Sequence, residues 1–188
     1  MISYTTAETK SDLDGILKLQ EENLAENLDP SEIKSQGFVT VHHSFETLKK
    51  LNDMERHIIA KENEKVIGYT LAMAKQAGTL IPVLYPMFDS FNKIFYEGKK
   101  VNDYHFLVMG QVCVAKDFRA KGIFRGCYLA YREHYQKKYD FTITEIASTN
   151  TRSLHAHKNL GFEPVHTYKD PDNSEWAVVI WDWRNRNQ

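Results

Sequence analysis

Apolar side chains recur at helical spacing in four parts of the chain, and these parts are predicted to be helices. In the first of them Ser11 is interpreted as the N-cap, with the Asp14 carboxylate three residues on completing a box-like start. A further segment, Ile81–Tyr96, is mixed and shows helical spacing after Pro86. The four predicted helices are Ser11–Asp29, Ser44–Leu51, Gly122–Tyr139 and Thr151–Leu160.

Short apolar runs bounded by polar turns predict strands between and beyond these helices. Glu62-Asn63-Glu64 is interpreted as a hairpin turn, and Phe38–His43 as a short irregular segment. Because strands occur both as hairpins and as a strand–helix–strand unit, the pattern predicts an α/β (α+β) fold with a mixed sheet flanked by helices. The predicted strands are Tyr4–Glu8, Arg56–Lys61, Lys65–Lys75, Tyr104–Ala115, Phe141–Ala147, Glu163–Tyr168 and Trp176–Trp183.

Composition narrows the class of protein. With 188 residues, 42% of them apolar and 26% charged, the chain has the size and balance of one globular domain, and no linker or repeat divides residues 1–188. The 24 basic and 25 acidic residues leave a net charge of −1. Because no overall positive field exists, we expect neither nucleic acid nor an anionic membrane surface as a partner.

The chain start and the cysteines point to an ordinary intracellular protein. Met1–Glu8 has neither the basic start nor the apolar run of a signal peptide, and no apolar stretch approaches the ~20 residues of a membrane helix. Cys113 and Cys127 each lie in an apolar pattern and are predicted to be core residues rather than a disulfide framework. A cytoplasmic location is expected.

The segment Val112–Gly126 is the most informative part of the sequence. An apolar strand leads into a short turn that contains Arg119, Lys121, Gly122 and Arg125, and a helix follows at once. A helix N-terminus presents main-chain N–H groups and a partial positive charge, so an anion binds there readily. The cations fit a pyrophosphate and a further phosphate, whereas a solvated basic turn is the alternative interpretation.

This turn resembles the acetyl-CoA-binding motif of the GNAT N-acetyltransferase superfamily, Gln/Arg-x-x-Gly-x-Gly/Ala. Arg119 and Gly122 match the first two fixed positions, whereas Phe124 stands at the third, where the family has a small residue. Phe124 remains compatible with the motif if its side chain turns into the core, because the main-chain amide is the group that binds phosphate.

A second stretch, Asn150–Phe162, resembles the family's later motif, Asn-x-x-Ala/Ser with a closing Gly-Phe. Asn150, Ser153, Gly161 and Phe162 match it, Asn150 as a helix cap and Gly161 as a left-handed helix stop. One helix and one strand separate the two motifs, as in the family, and the order of elements resembles the family over essentially the whole chain.

The resemblance implies a single GNAT-like domain over residues 1–188, with a mixed, mostly antiparallel twisted sheet flanked by helices. It implies acetyl-CoA as cosubstrate, and an acetyl transfer to a primary amine by direct attack on the thioester. The residues that it implies for the cofactor are Val112, Val114, Arg119, Ala120, Lys121, Gly122, Ile123, Phe124, Arg125, Asn150 and Ser153.

Three residues are candidates for proton transfer. The family's proton donor to the leaving thiolate is a tyrosine seven residues after the motif asparagine, and here that position holds His157, which can serve as an acid or only pack. The strand before the cofactor turn carries no carboxylate, so His105 and, on the next strand, Glu145 are the candidate bases. For each, a satisfied polar residue at a strand end is the alternative.

The acceptor and the assembly stay open at this point. A small-molecule amine, a protein N-terminus and a lysine side chain all fit, and a monomer or a homodimer is expected. His42 or His43 is a candidate pocket residue because the pair lies where the family places its variable acceptor segments. A catalytically idle acyl-CoA-binding sensor is the main alternative function, and a nucleotide-binding module is disfavoured because its glycine-rich loops are missing from the sequence.

Overall fold

The computed structural model describes residues 1–29, 38–39, 41–79 and 85–184. Pro30, beside the predicted end of the first helix, and residues 81–84, at the start of the mixed segment, lie outside this range. The strands are β1 (Ile2–Thr6), β2 (Ile58–Glu62), β3 (Lys65–Met73), β4 (Phe95–Tyr96), β5 (Lys99–Lys100), β6 (Phe106–Val114), β7 (Phe141–Ala147), β8 (Glu163–Lys169) and β9 (Glu175–Asp182). The helices are α1 (Lys10–Glu22), α2 (Phe45–Met54), α3 (Tyr85–Phe91), α4 (Ile123–Tyr135) and α5 (Thr151–Lys158).

Seven strands form one sheet in the order β1-β2-β3-β6-β7-β9-β8. The pairs β1–β2, β2–β3, β7–β9 and β8–β9 are antiparallel, whereas β6 and β7 are parallel where Phe106–Val108 pair with Phe141–Ile143. The short strands β4 and β5 pair separately. The mixed, mostly antiparallel sheet flanked by helices that the sequence predicted is therefore confirmed.

The chain packs as two compact units, each built from two segments. One contains Met1–Met73 and Met109–His134, and its core includes the fully buried Ile16, Leu48 and Cys127. The other contains Ala74–Val108 and Tyr135–Gln188, where the rings of Phe106 and Phe141 stack at 6.0 Å. A single domain over residues 1–188 stays a prediction.

The first helix begins and ends earlier than its apolar spacing indicated. Thr9, not Ser11, is the N-cap, and Asp12 completes a capping box. The helix ends at Glu22 because Asn23 donates its side-chain N–H to the Leu19 carbonyl oxygen at 2.8 Å, which satisfies one of the last helical carbonyls. The prediction that it continues to Asp29 is therefore wrong.

The two cysteines, Cys113 and Cys127, are buried as predicted, and both are free. Trp181 and Trp183 are also buried, with their rings at 6.0 Å, so they belong to the core of the second unit. Within residues 85–96 of the mixed segment, Phe91 is fully buried, whereas Tyr85 and Phe95 are exposed.

Strand β8 lies at one edge of the sheet and is mostly exposed. Its pairing with β9 shifts register between Pro164 and His166, which marks a β-bulge or irregularity. Proline cannot donate a main-chain hydrogen bond, so it is tolerated at such a position on an edge strand.

The buried Asp12 carboxylate is predicted to stabilise the first unit. It accepts hydrogen bonds from the main-chain N–H groups of Glu8 and Thr9, both at 3.0 Å, and from Lys61 Nζ at 3.1 Å. Asp12→Ala should lower the free energy of unfolding by ~1–3 kcal/mol in urea denaturation, because two main-chain N–H groups at the helix start and the Lys61 ammonium lose their acceptor.

Asp14→Ala is the matched control, since Asp14 pairs with Lys10 at the exposed surface and should cost less than about 1 kcal/mol. Burial opposes ionisation of Asp12, yet its hydrogen bonds hold its pKa below the ordinary value. Its contribution should therefore be present at neutral pH and be lost as the pH falls through that lowered pKa. Equal effects of the two substitutions would contradict this account.

Candidate active site

The turn between β6 and α4 has an unusual main-chain conformation. After β6, the Ala115 N–H donates to the Ile67 carbonyl at 2.8 Å, and a single 3₁₀ turn follows over Lys116–Phe118. Ala120 and Gly122 then adopt positive φ angles of 59° and 79°. The helix begins at the next residue, and its first main-chain bond runs from Gly126 N to Gly122 O at 2.9 Å.

Left-handed residues on both sides of Lys121 give this turn the character of an anion-binding loop. An L-residue such as Ala120 adopts a left-handed conformation only at a cost, so its presence before a helix N-terminus is notable. A Cβ at Gly122 would meet no atom within 4 Å, so the glycine is required for its dihedral angle and not for space. Alternating handedness turns successive N–H groups toward one concave side, where anions bind.

The cations of the turn divide into two kinds. The Arg119 guanidinium donates to Asn23 Oδ1 at 2.5 Å and to the Val114 carbonyl at 3.3 Å, so it ties the turn to the end of α1. Lys121 and Arg125 are exposed. Arg119 therefore shapes the loop, whereas Lys121 and Arg125 are available to an anionic ligand.

Ile123 and Phe124 begin the helix with their side chains packed on the protein. Ile123 is buried in the core of the first unit. The ring of Phe124 lies against the ring of the fully buried Tyr128, with 4.9 Å between their centroids. The bulky residue at the third motif position thus packs along its own helix.

The last residues of β6 alternate across the strand. Val112 and Val114 are half-buried, and Cys113 between them is buried on the opposite face. Burial raises the pKa of the Cys113 thiol to about 12, so the thiol is protonated and inert at neutral pH.

A buried polar cluster surrounds Gln111, the residue before Val112. The Gln111 amide donates to the Val41 carbonyl at 2.9 Å, and its oxygen accepts from Tyr69 Oη at 2.6 Å and from Gln20 Nε2 at 2.9 Å. Gln20 Oε1 in turn accepts the main-chain N–H of His43 at 3.1 Å. His43, one of the two candidate pocket histidines, is therefore buried in this cluster, and burial lowers its pKa to about 4.

In the second unit, Asn150 and Ser153 lie at the start of α5, and His157 lies in its last turn, one helical turn after Ser153. Asn150 is the N-cap, and its Oδ1 accepts the Ser153 N–H at 3.1 Å. His157 is 2% exposed, with Nδ1 at 2.7 Å from the Ser153 carbonyl oxygen. Burial lowers the pKa of His157 to about 4, although that hydrogen bond opposes the shift, so the imidazole is neutral at pH 7.

Glu145 lies on β7, and its carboxyl group is partly buried. Burial raises its pKa to about 7, the hydrogen bond from the Tyr168 hydroxyl lowers it, and the negative charge of Asp170 raises it further. A carboxyl with this pKa is half ionised near neutral pH, as a general base requires.

His105, the other candidate base, directly precedes β6. Its main-chain N–H donates to Asp140 Oδ2 at 3.0 Å, and its carbonyl accepts the Asp140 N–H at 2.6 Å. His105 thus lies just before the start of β6, whereas Val112 and Val114 lie at the opposite end of this strand. Its role as a base stays a prediction.

Sequence reasoning did not single out Tyr168, Gln20 or Tyr69. A tyrosine or glutamine in an apolar pattern is an ordinary observation, and its partner lies far along the chain, 23 residues away for Tyr168 and 42 for Tyr69. Only a polar residue on an apolar helix face, as Gln20 is on α1, could have served as a signal.

The part of the chain that the structure describes shows neither a metal-ligand cluster nor a membrane-spanning helix. It holds no group of three or more histidine, cysteine, aspartate or glutamate residues that could bind a metal ion. None of its helices has the length and apolar character needed to cross a membrane.

Solved structures of N-acetyltransferases share this fold. The ribosomal-protein-S18-alanine N-acetyltransferase from Escherichia coli is 13% identical with a TM-score of 0.63, and the match covers 100% of this chain and 99% of that one. The ribosomal-protein-alanine N-acetyltransferase from Brucella melitensis is 18% identical with a TM-score of 0.62, over 96% and 99%. The NatC complex bound to Gag peptide and CoA contains a chain with 14% identity and a TM-score of 0.63, over 96% and 98%.

No curated protein sequence matches the chain. The sequence profile of the Acetyltransferase (GNAT) family matches residues 22–162, which is well over half of it. With two motifs, the sheet order and this match in agreement, the chain belongs to the GNAT acetyltransferase family.

Proposed function

We propose that this protein is an acetyl-CoA-dependent N-acetyltransferase that transfers an acetyl group to a primary amine by direct attack on the thioester. The observation that carries the proposal is the turn before α4, where left-handed Ala120 and Gly122 lead into a helix N-terminus beside exposed Lys121 and Arg125. Such a turn suits a pyrophosphate, because main-chain N–H groups and cations converge on one concave surface.

The resemblance assigns the remaining contacts with acetyl-CoA, the second substrate. The main chain at Val112 and Val114 would flank its pantetheine arm, and the turn from Arg119 to Arg125 would hold its phosphates. Asn150 and Ser153 belong to the implied set, although the Asn150 side chain is engaged as the cap of α5.

Glu145 is proposed as the general base. A primary alkyl ammonium ion with a pKa of ~10.4 is no nucleophile, so the amine must lose a proton to a group that is ionised near neutral pH. The neutral amine then forms the C–N bond to the acetyl carbon, the C–S bond breaks, and the second amine proton is released as the thiolate leaves. The pKa of Glu145, about 7, supports this role.

The acid role of His157 stays a prediction. At a pKa of about 4 the ring is neutral at pH 7, and its Nδ1 proton is donated to the Ser153 carbonyl. A neutral imidazole is a much weaker acid than a thiol, so this environment does not favour the acid role. Near wild-type turnover in His157→Phe, with the fold retained by circular dichroism, would exclude this role.

The acceptor is proposed to be a small-molecule or peptide amine. Two of the structural neighbours are, by name, N-acetyltransferases of an alanine in a ribosomal protein. A peptide N-terminus should therefore be among the first substrates tested. A cytoplasmic location and a monomeric or homodimeric state stay predictions.

Melting temperature in the presence of acetyl-CoA, CoA, ATP and NAD tests the cofactor. A ligand at ~100 times its dissociation constant adds about 2.7 kcal/mol of stability, so acetyl-CoA and CoA should each raise the melting temperature and the other two should not. Gly122→Ala should reduce this rise, because a side chain at φ +79° strains the turn.

Gly98→Ala is the matched control, since Gly98 has a φ of +81° and equally open space around its Cβ. It should lower the melting temperature by a similar amount and leave the CoA-dependent rise intact. If neither CoA species stabilises the wild-type protein, the acetyltransferase proposal fails. If the CoA species raise the melting temperature but no amine causes release of the CoA thiol, the idle acyl-CoA sensor is favoured.

The rate at which the free CoA thiol is released tests Glu145 as the base. An alanyl peptide, an N-blocked lysyl peptide and a small diamine serve as acceptors. Glu145→Gln should reduce kcat/KM by roughly 10²–10⁴, and the wild-type rate should rise with pH through an inflection near 7 as Glu145 loses its proton. Glu163→Gln, at an exposed residue of β8, should retain activity. A Glu145→Gln rate within about a factor of two of wild type would exclude this base.

A further inference from the structure

The Glu145 carboxyl forms a polar cluster with Tyr168 and Asp170. Tyr168 on β8 donates its hydroxyl proton to Glu145 Oε2. Glu145 pairs with Val178 of β9, and β9 pairs with β8, so Tyr168 reaches the carboxyl across one intervening strand. Asp170 lies two residues beyond Tyr168, in the turn that connects β8 to β9.

Asp170 is held as a charged group by this turn. Its carboxylate accepts the main-chain N–H groups of Asp172 at 3.0 Å and Ser174 at 2.9 Å, and the indole N–H of Trp176 at 2.9 Å. The Trp176 hydrogen bond is the largest cause of a lowered pKa of Asp170, with the Ser174 and Asp172 bonds adding to it. Asp170 therefore stays ionised through the range in which Glu145 titrates.

Tyr168 stays protonated in the same range. Burial raises its phenol pKa, and the hydrogen bond to Glu145 and the charges of Glu145 and Asp170 raise it further. It is thus a constant donor to the carboxylate, and hydrogen bonding to the charged form favours that form. Asp170 acts in the opposite sense, because a second negative charge disfavours ionisation of Glu145.

We propose that Tyr168 and Asp170 are positioning residues for Glu145: Tyr168 orients its carboxylate and favours ionisation, and Asp170 opposes ionisation, so that their balance sets the pH at which the base becomes active. The catalytic part of this inference rests on the proposed role of Glu145. The pairing residue on β9 is the apolar Val178. The other titratable groups on β8 are the exposed Glu163 and Lys169 at its ends and His166, whose ring lies parallel to that of Tyr168 at 6.5 Å.

The test is a pH titration of the Glu145 carboxyl by ¹³C NMR, in protein labelled at glutamate and without any acceptor or cofactor. The Glu145→Gln spectrum assigns the resonance. The wild-type midpoint is expected at about 7. Tyr168→Phe should raise the midpoint by roughly one pH unit, because the carboxylate loses its donor, and Asp170→Asn should lower it by roughly half a unit, because a like charge is removed.

Two variants separate these effects from a loosened turn. Trp176→Phe removes a hydrogen bond of Asp170 and keeps its charge, so the Glu145 midpoint should not fall as it does in Asp170→Asn. His166→Gln should leave the midpoint unchanged. The Asp170→Asn shift should also shrink in about 1 M salt, where the screening length is about 3 Å. Unfolding curves in urea verify that each variant folds.

The proposal is supported if the Glu145 midpoint rises in Tyr168→Phe and falls in Asp170→Asn. It is overturned if the midpoint is unchanged or lower in Tyr168→Phe, or unchanged or higher in Asp170→Asn. The rise of kcat/KM with pH should have a midpoint that moves with the NMR midpoint in each variant. It is measured by thiol release with whichever acceptor the wild type acetylates: the alanyl peptide, the N-blocked lysyl peptide or the diamine. If the NMR midpoints shift as expected while Glu145→Gln retains full activity, the tuning cluster stands and the base assignment fails. If Glu145→Gln is inactive and the midpoints do not shift, the base stands and the tuning proposal is overturned.

Discussion

The cost of burying a polar group without a hydrogen-bond partner governs the interior of this protein. A lone buried amide or imidazole costs several kcal/mol in apolar surroundings, so the His57 ring and the Gln111 amide are each built into a local hydrogen-bonded arrangement. His57 illustrates this constraint: it is fully buried, its Nδ1 accepts the Ala72 N–H at 3.2 Å, and its Nε2 lies 3.3 Å from the Leu48 carbonyl. The same requirement fixes the orientation of the Gln111 amide beside Val112, since only one orientation gives both of its ends their partners.

The sheet and its main helices could be predicted from apolar periodicity, because β6 and α4 are long and strongly patterned. The ends of α1 could not, because two competing signals decided them. Thr9 and Ser11 are both acceptable caps, and each has an aspartate three residues on. The fold selects Thr9, because Asp12 is buried and also binds Lys61, whereas Asp14 pairs with Lys10 at the exposed surface. The small β4–β5 pair was missed since each of its strands has two residues and neither carries an apolar alternation.

The functional residues were predictable where the chemistry is local. Gly122 and its neighbours belong to one contiguous turn, so their grouping is visible in the sequence. The engagement of Arg119 was not, because its partner Asn23 lies 96 residues earlier. Likewise, the sequence provided Glu145 as a candidate base, but its raised pKa depends on burial and on residues of another strand and turn. These long-range contacts can be identified only in the folded structure.

The irregular edge strand β8 bears on how this protein avoids aggregation. A regular, exposed edge strand offers unpaired main-chain groups on which a strand of another molecule can add. In β8 Pro164 contributes no N–H group, the register shifts beside it, and the charged Glu163 and Lys169 stand at its two ends. These features make β8 a poor template for strand addition, so the sheet can expose this edge at high protein concentration without extending into a fibril-like array.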